Sequence, residues 1–211
     1  MDKKRLVSIQ ERLMKDMHRG IVKKDFSPFD IYQFIDKDKK EAFLEEQDSE
    51  KKTSAQDVMG LLLSAKKEII IFAGNLSWIN ITSGGVKIID VIKDMANKGV
   101  EIKILCGIHL PAMDNIEKII ALNKKVKTKI EIRHSFQPLR AIIADDKVAR
   151  LKEIKTPGDY EAKDGKKTFI FYTIYDSVWV KWLKTVFHSY FDYGDYAEAR
   201  IRELKSIQKI K

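Results

Sequence analysis

The side chains with the most chemistry to offer fall between residues 131 and 155. Arg140 interrupts an otherwise apolar stretch, LRAIIA, over Leu139–Ala144. A strand built on that stretch turns the guanidinium to one face, where its charge needs a partner: Asp145, another carboxylate, or a bound anion. Lys147 adds a second cation beyond Asp145-Asp146, and His134 stands six residues before Arg140. His134 admits two readings, a contact to an anionic ligand or a partly buried imidazole bonded to backbone; it has no acid or metal partner beside it in the sequence. The Asp145-Asp146 pair reads as turn chemistry, because aspartate bonds its own backbone and one acidic pair is thin for a metal site. Asn75, Ser77 and Trp78 follow an apolar run directly, which in open α/β sheets is the ligand-binding edge. The plain alternative for them is an ordinary connecting loop. Gly84-Gly85 offers backbone N–H groups before a helix, but neither Gly-x-Gly-x-x-Gly nor Gly-x4-Gly-Lys-Ser/Thr is present, so no nucleotide loop follows. Nothing in the pattern calls for a metal or a cofactor.

These residues need elements to position them. Residues 2–18 carry Leu6, Ile9, Leu13 and Met17 at steps of three or four, a helix with one apolar stripe that ends at Gly20. Residues 31–46 also read as a helix, with Ile31, Phe34 and Ile35 on one face. The polar stretch 47–56 reads as a linker. Thr53 or Ser54 then caps a helix through Ala65, and Glu68–Ala73 is an apolar run suited to a strand buried on both faces. Val86–Lys98 reads as a helix, Val100–Cys106 as a strand, Ala112–Lys125 as a helix and Lys129–His134 as a strand. That β-α-β-α-β alternation argues for parallel strands joined by right-handed crossovers. Leu139–Ala144 and Lys147–Ile154 form a hairpin about Asp145-Asp146, and Thr168–Ile174 is a further strand. Asp176 caps a long last helix whose apolar stripe is Trp179, Trp182, Leu183, Val186, Phe187, Tyr190 and Phe191; the basic tail after Ala197 continues it.

Composition bounds the classes. With 44% hydrophobic residues the chain of 211 can bury a core, which excludes wholesale disorder. No run approaches the roughly 18 apolar residues of a membrane span. The basic N-terminus lacks the apolar segment of a secretory signal. The single cysteine, Cys106, excludes an intrachain disulfide framework and reads as a small buried hydrophobe, so a reducing, cytoplasmic setting is expected. The net charge of +9 is uneven. Residues 1–52 hold 13 basic against 12 acidic side chains, whereas Lys118–Lys155 holds 11 against four. A local excess of that kind suits an anion site or a nucleic-acid face; a solvated lysine-rich surface is the other reading.

The hairpin region RHSFQPLRAIIADDKVARLKE resembles the phospholipase D superfamily signature, His-x-Lys-x4-Asp followed by a short strand. Asp145 takes the Asp position, Arg140 the Lys position and Pro138 the His position, while the downstream Gly-Ser positions fall on Lys152 and Glu153. The order of elements over roughly 53–199 also resembles half of such an enzyme. It is most similar to the phospholipase D-like effector domains of TrmB-type archaeal transcription regulators, which share the strand–Arg–His step and the aromatic helix, here WVKWLKTVFHSYFDYGDYAEAR. The resemblance implies a mixed α/β sheet with a parallel βαβαβ core flanked by helices. An N-terminal helical extension (1–52) would precede that domain (53–211). Regulators of that type carry a winged helix, whereas residues 1–52 read as two helices without wing strands.

The resemblance also implies an activity: one His attacks phosphorus, a second is the general acid, Lys residues hold the phosphate, and two motifs pool into one site. Proline at 138 has no lone pair for that attack. None of His18, His109, His134 or His188 begins His-x-Lys, and a second copy repeats the loss. The expected function is therefore a non-catalytic regulatory or ligand-binding domain linked to transcription, holding a small anionic ligand through Arg140, Lys147, His134, Asn75, Ser77 and Trp78. The rival readings are a nucleic-acid binder using the 118–155 basic face, and a residual phosphodiesterase or nuclease. A homodimer through the Leu6/Ile9/Leu13/Met17 stripe stands beside the plainer use of that stripe in the chain's own core.

Overall fold

In the computed structural model, which describes residues 2–46, 53–158 and 166–208, the chain begins with α1 (Lys3–Arg19), the short α2 (Phe29–Tyr32) and β1 (Lys40–Glu46). It continues through α3 (Thr53–Ser64), β2 (Glu68–Ala73), the two-residue strands β3 (Thr82–Ser83) and β4 (Val86–Lys87), α4 (Ile88–Asn97) and β5 (Glu101–Cys106). Next come α5 (Met113–Leu122), β6 (Ile130–His134), β7 (Ala141–Ala144), β8 (Val148–Lys155) and β9 (Thr168–Ile174). The chain closes with α6 (Ser177–Phe191), β10 (Asp195–Tyr196) and α7 (Ala197–Gln208).

Eight strands form one mixed sheet in the order β1-β9-β8-β7-β2-β5-β6-β10, and β3 with β4 makes a separate small hairpin. The three apolar runs β2, β5 and β6 are parallel and adjacent, as their helical crossovers require. β7 lies antiparallel on the other side of β2, with Phe72 opposite Ala141 and Ile69 opposite Ala144. Residues just before β7 therefore sit at the C-terminal edge of the parallel strands, and residues just after it at their N-terminal edge.

Each face of the sheet is covered. Leu62 of α3, Ile92 of α4, Ile116 of α5 and Ile201 of α7 bury Ile69, Ile71, Ile102 and Ile104. On the opposite face the stripe of α6 covers Ile70, Phe72, Leu105 and Leu151. Phe187 meets Phe72 edge to face at 5.1 Å, both fully buried. Each such side chain removed from water is worth roughly 1.5–3 kcal/mol. Asp176 starts α6 as expected, accepting from the N–H groups of Val178 and Trp179.

The N-terminal stripe is spent inside the chain. Leu13 and Met17 are buried in the α6-side core, with Leu6 and Ile9 packed against it. His18 stacks on Tyr190 at 4.6 Å and lies 3.0 Å from the Ser189 hydroxyl. Leu13 and Met17 of the stripe thus serve the chain's own core, the plainer of its two expected uses, while Leu6 and Ile9 stay partly buried.

Four expectations are corrected. Residues 31–46 are not one helix: the helical face ends after one turn, and Lys40–Glu46 pairs antiparallel with β9 over seven positions. The Glu, Ala, Leu and Lys of that strand favour a helix locally, but the open edge of β9 offers a full ladder, and Phe43 stacks on Phe171 at 4.7 Å. Val86 and Lys87 belong to the β4 hairpin strand, so the following helix begins at Ile88. The last helix does not run on. It stops at Asp192, and β10 pairs with β6 before α7 begins. Gly194 permits this, since a Cβ there would lie 3.0 Å from the His134 carbonyl. Of the linker expected at 47–56, residues 53–56 instead form the first turn of α3, and 47–52 lie outside the described residues, as do the Thr53 and Ser54 side chains expected to cap that helix.

A candidate anion-binding cleft

The C-terminal ends of β2, β5 and β6 and the start of β7 surround a cleft of about 660 Å³. Its upper wall comes from the loop after β2, with Asn75, Ser77 and Trp78, and from Gly107, His109, Ser135, Phe136 and Gln137. Its floor runs over Arg140, Ile142, Arg150 and Lys152 to Phe171. The loop after β2 is held by its own polar groups. Asn75 Oδ1 accepts from the Ser77 N–H at 3.2 Å, and its carbonyl accepts from Asn115 Nδ2 at 3.1 Å. Between them Leu76 is fully buried at φ +56°, a conformation uncommon outside glycine, and its burial among core residues holds the turn.

Arg140 is half-buried in this cleft. Among the described residues it forms no ion pair with a carboxylate. Burial pushes its guanidinium pKa down. Asp145 is not its partner: the two stand at opposite ends of β7, separated by about 17 Å of extended chain. The Asp145 carboxylate instead accepts from the N–H groups of Lys66, Lys67 and Glu68 at 2.9–3.2 Å. Burial alone would raise its pKa; those N–H groups, with Lys147 nearby, hold it below the usual carboxylate range. Asp145 also adopts φ +54° in the turn, where Asp is tolerated.

Two cations that the sequence did not single out stand with Arg140. Lys152 lies directly across the hairpin, its N–H donating to the Arg140 carbonyl at 2.8 Å. Its ammonium lies 4.0 Å from the centre of the Phe169 ring and 5.1 Å from that of Phe171. Burial and then the Arg140 charge lower its pKa, with Glu45 acting the other way. Lys23 comes from the segment after α1 and donates to the carbonyls of Gln137 and Leu139, each at 2.7 Å. Those carbonyls flank Pro138, the residue at the motif's His position. Burial first, and Arg140 second, push the Lys23 amine down to about 6. Pro138 is itself buried under Gly20, where an added Cβ would come within 3.1 Å of the proline ring.

The remaining candidates divide. Asn75, Ser77 and Trp78 line the cleft with Arg140. Lys147 does not: it is exposed in the β7–β8 turn at the opposite edge of the sheet. His134 is buried and does not line the cleft; its Nδ1 accepts from the Ile108 N–H at 2.8 Å. Burial, then Arg200, lowers its pKa, opposed by the Cys106 carbonyl. The 118–155 segment is not one basic face. Lys124–Lys129 precede β6 and, like Lys147, lie at the N-terminal edge, whereas Arg140 and Lys152 lie at the cleft. Arg133 is absorbed between Phe191 and Tyr196, at 5.1 and 4.3 Å from their ring centres. Lys152 had a sequence signal, since it alternates with Arg150 on one strand facing Arg140. Lys23 had none, being more than a hundred residues from the groups it touches.

No protein family is matched by the sequence, and neither is any curated protein. Solved structures do match. A structure of TrmBL2, described as an archaeal chromatin protein with a novel mode of DNA binding, is similar over 74% of this chain and 54% of its own, at 21% identity and TM-score 0.53. Nuc from Salmonella typhimurium, a phospholipase D family member, is similar over 74% of this chain and 97% of its own, at 13% identity and TM-score 0.52. NucT from Helicobacter pylori is similar over 74% and 99%, at 14% identity and TM-score 0.51. The chain has a phospholipase D-like fold, and it spans about half of the TrmBL2 chain. Among the described residues no group of three His, Cys, Asp or Glu is placed to hold a metal ion, and no helix is long and apolar enough to cross a membrane.

Proposed function

We propose that this chain is a non-catalytic phospholipase D-like domain that holds an anionic group in the cleft over Arg140 and serves a regulatory, transcription-linked role. The observation that carries the reading is Arg140 itself: a half-buried cation at the motif's lysine position, in a cleft, with no carboxylate partner among the described residues. Buried arginines are normally paired, and a bound phosphate supplies the pairing. Pro138 under Gly20 leaves the nucleophile position without a nitrogen that can attack phosphorus. Residues 53–211 form the unit in this reading, and 1–52 an addition that contributes Lys23 to it.

Calorimetric titration with inorganic phosphate tests the binding. The wild type is expected to bind, and Arg140→Ala to weaken binding at least tenfold. Absence of binding by the wild type overturns the reading. Incubation with bis(4-nitrophenyl) phosphate tests the catalytic part: no release of nitrophenol is expected, and release abolished by His134→Ala would restore the phosphodiesterase alternative.

The likeness to TrmBL2 favours a second reading, in which the cations meet the phosphates of DNA. Anisotropy of labelled duplex DNA at two salt concentrations separates it. Steep salt dependence with loss in Arg140→Ala supports it, and no binding at low salt removes it.

A further inference from the structure

We propose that the segment Ile21–Lys23 turns the cleft into a site for a small phosphate monoester carried on a flat apolar body, rather than for the backbone of a nucleic-acid chain. This rests on the anion-binding reading and names the class of ligand. Charge is the first argument. Arg140, Lys152 and Lys23 line one cleft, and Glu45 acts on Lys152 among them. A monoester brings up to two negative charges on one group at neutral pH, whereas each linkage of a nucleic-acid chain brings one. Lys23 gives two N–H groups to the Gln137 and Leu139 carbonyls, so a protonated Lys23 has its third N–H left for a ligand oxygen.

The second argument is the rim. Trp78, half-buried, stands on one wall, and Phe136, Ile21, Val22 and Ile81 are exposed around the mouth at 58%, 61%, 48% and 38%. Water gains nothing from this apolar collar, and a phosphate alone makes no use of it. An aromatic or aliphatic body attached to the phosphate does. Third, the segment is set in place before any ligand arrives. Asp25 Oδ2 accepts from the Ile21 and Val22 N–H groups at 2.8 and 2.9 Å, and Gly20 packs on Pro138. That packing closes the side of the cleft at the motif's His position. A cavity of about 660 Å³ falls within the ~300–1,000 Å³ range of small-molecule sites.

Calorimetry with three probes tests the proposal: phenyl phosphate, inorganic phosphate and the dinucleotide TpT, whose one phosphate is a diester. Phenyl phosphate is expected to bind at least tenfold more tightly than either of the others. Val22→Ser and Phe136→Ser, both exposed and read alongside circular dichroism, should bring phenyl phosphate down toward inorganic phosphate and leave the latter within twofold. Lys23→Met should weaken both at least tenfold. Equal affinity for phenyl phosphate and inorganic phosphate overturns the proposal and leaves the anion site standing, as does tighter binding of TpT than of phenyl phosphate. Failure of all three probes removes the anion site itself.

Discussion

The two ends of β7 carry the two charged residues of the motif and treat them in opposite ways. At one end Asp145 is buried and receives three backbone N–H groups, and around it Lys184 joins Glu68 at 2.6 Å and Asp146 at 2.7 Å. Charge there is paired, and it ties the hairpin turn to the start of β2. At the other end Arg140 stands with Lys23 and Lys152, and burial first, then the Arg140 charge, depresses the pKa values of the two lysines. The first end is arranged as structure requires. At the second, Arg140 has no carboxylate partner among the described residues although it lies in a cleft, which folding alone gives no reason to build.

That contrast can be broken by substitution. Asp145→Ala should be the most damaging change, costing on the order of 3 kcal/mol because three N–H groups lose their acceptor at a position also strained for alanine. Urea unfolding would measure it. Arg140→Ala in the same assay should change stability by less than about 1 kcal/mol, since no ion pair is lost, while abolishing anion binding. Comparable destabilisation by both would erase the distinction between the two ends.

Acidity sharpens it. Asp145 and His134 both have lowered pKa values, so on acidification the unfolded chain takes up their protons first. The stability from neutral His134 is present above its ordinary value and lost as pH falls from about 7 to 5, and that from Asp145 is lost further down. The urea midpoint should fall over the first interval, and His134→Gln should flatten that fall. At the cleft the sign concerns binding. A bound anion favours protonated Lys23, whose amine otherwise titrates at about 6. Affinity for sulfate, which does not titrate in this range, should rise several-fold per unit as pH falls from 8 to 6 and level off below about 6. Lys23→Met should abolish that slope. The smallest effect is expected of Lys147→Ala, within about 0.5 kcal/mol and with no change in sulfate affinity, because its side chain is exposed at the far edge.

The sequence was most legible where one rule sufficed. The runs at 68–73, 101–106 and 130–134 were apolar, short and bounded by turn residues, and they are the parallel strands. The α6 stripe followed helical spacing and is buried along its length apart from Tyr190, which is partly buried. Reading failed where a distant edge decided. Lys40–Glu46 has helix-favouring residues and became a strand because β9 lay open beside it, and α6 ended because Gly194 lets the chain turn onto β6.

For the site, sequence alone determined which residue types were available: an arginine in an apolar strand, proline in place of the nucleophilic histidine, and a polar loop after the first parallel strand. Only the tertiary structure decided which of them meet. Strand register sent Asp145 and Lys147 to one edge and Arg140 and Lys152 to the other, because side chains along an extended chain separate by over 3 Å per residue. Chain reversal after α1 brought Lys23 onto the carbonyls flanking Pro138, a contact between segments more than a hundred residues apart. Local pattern is silent on such contacts, since they depend on how helices and strands pack rather than on which neighbours a residue has in the chain.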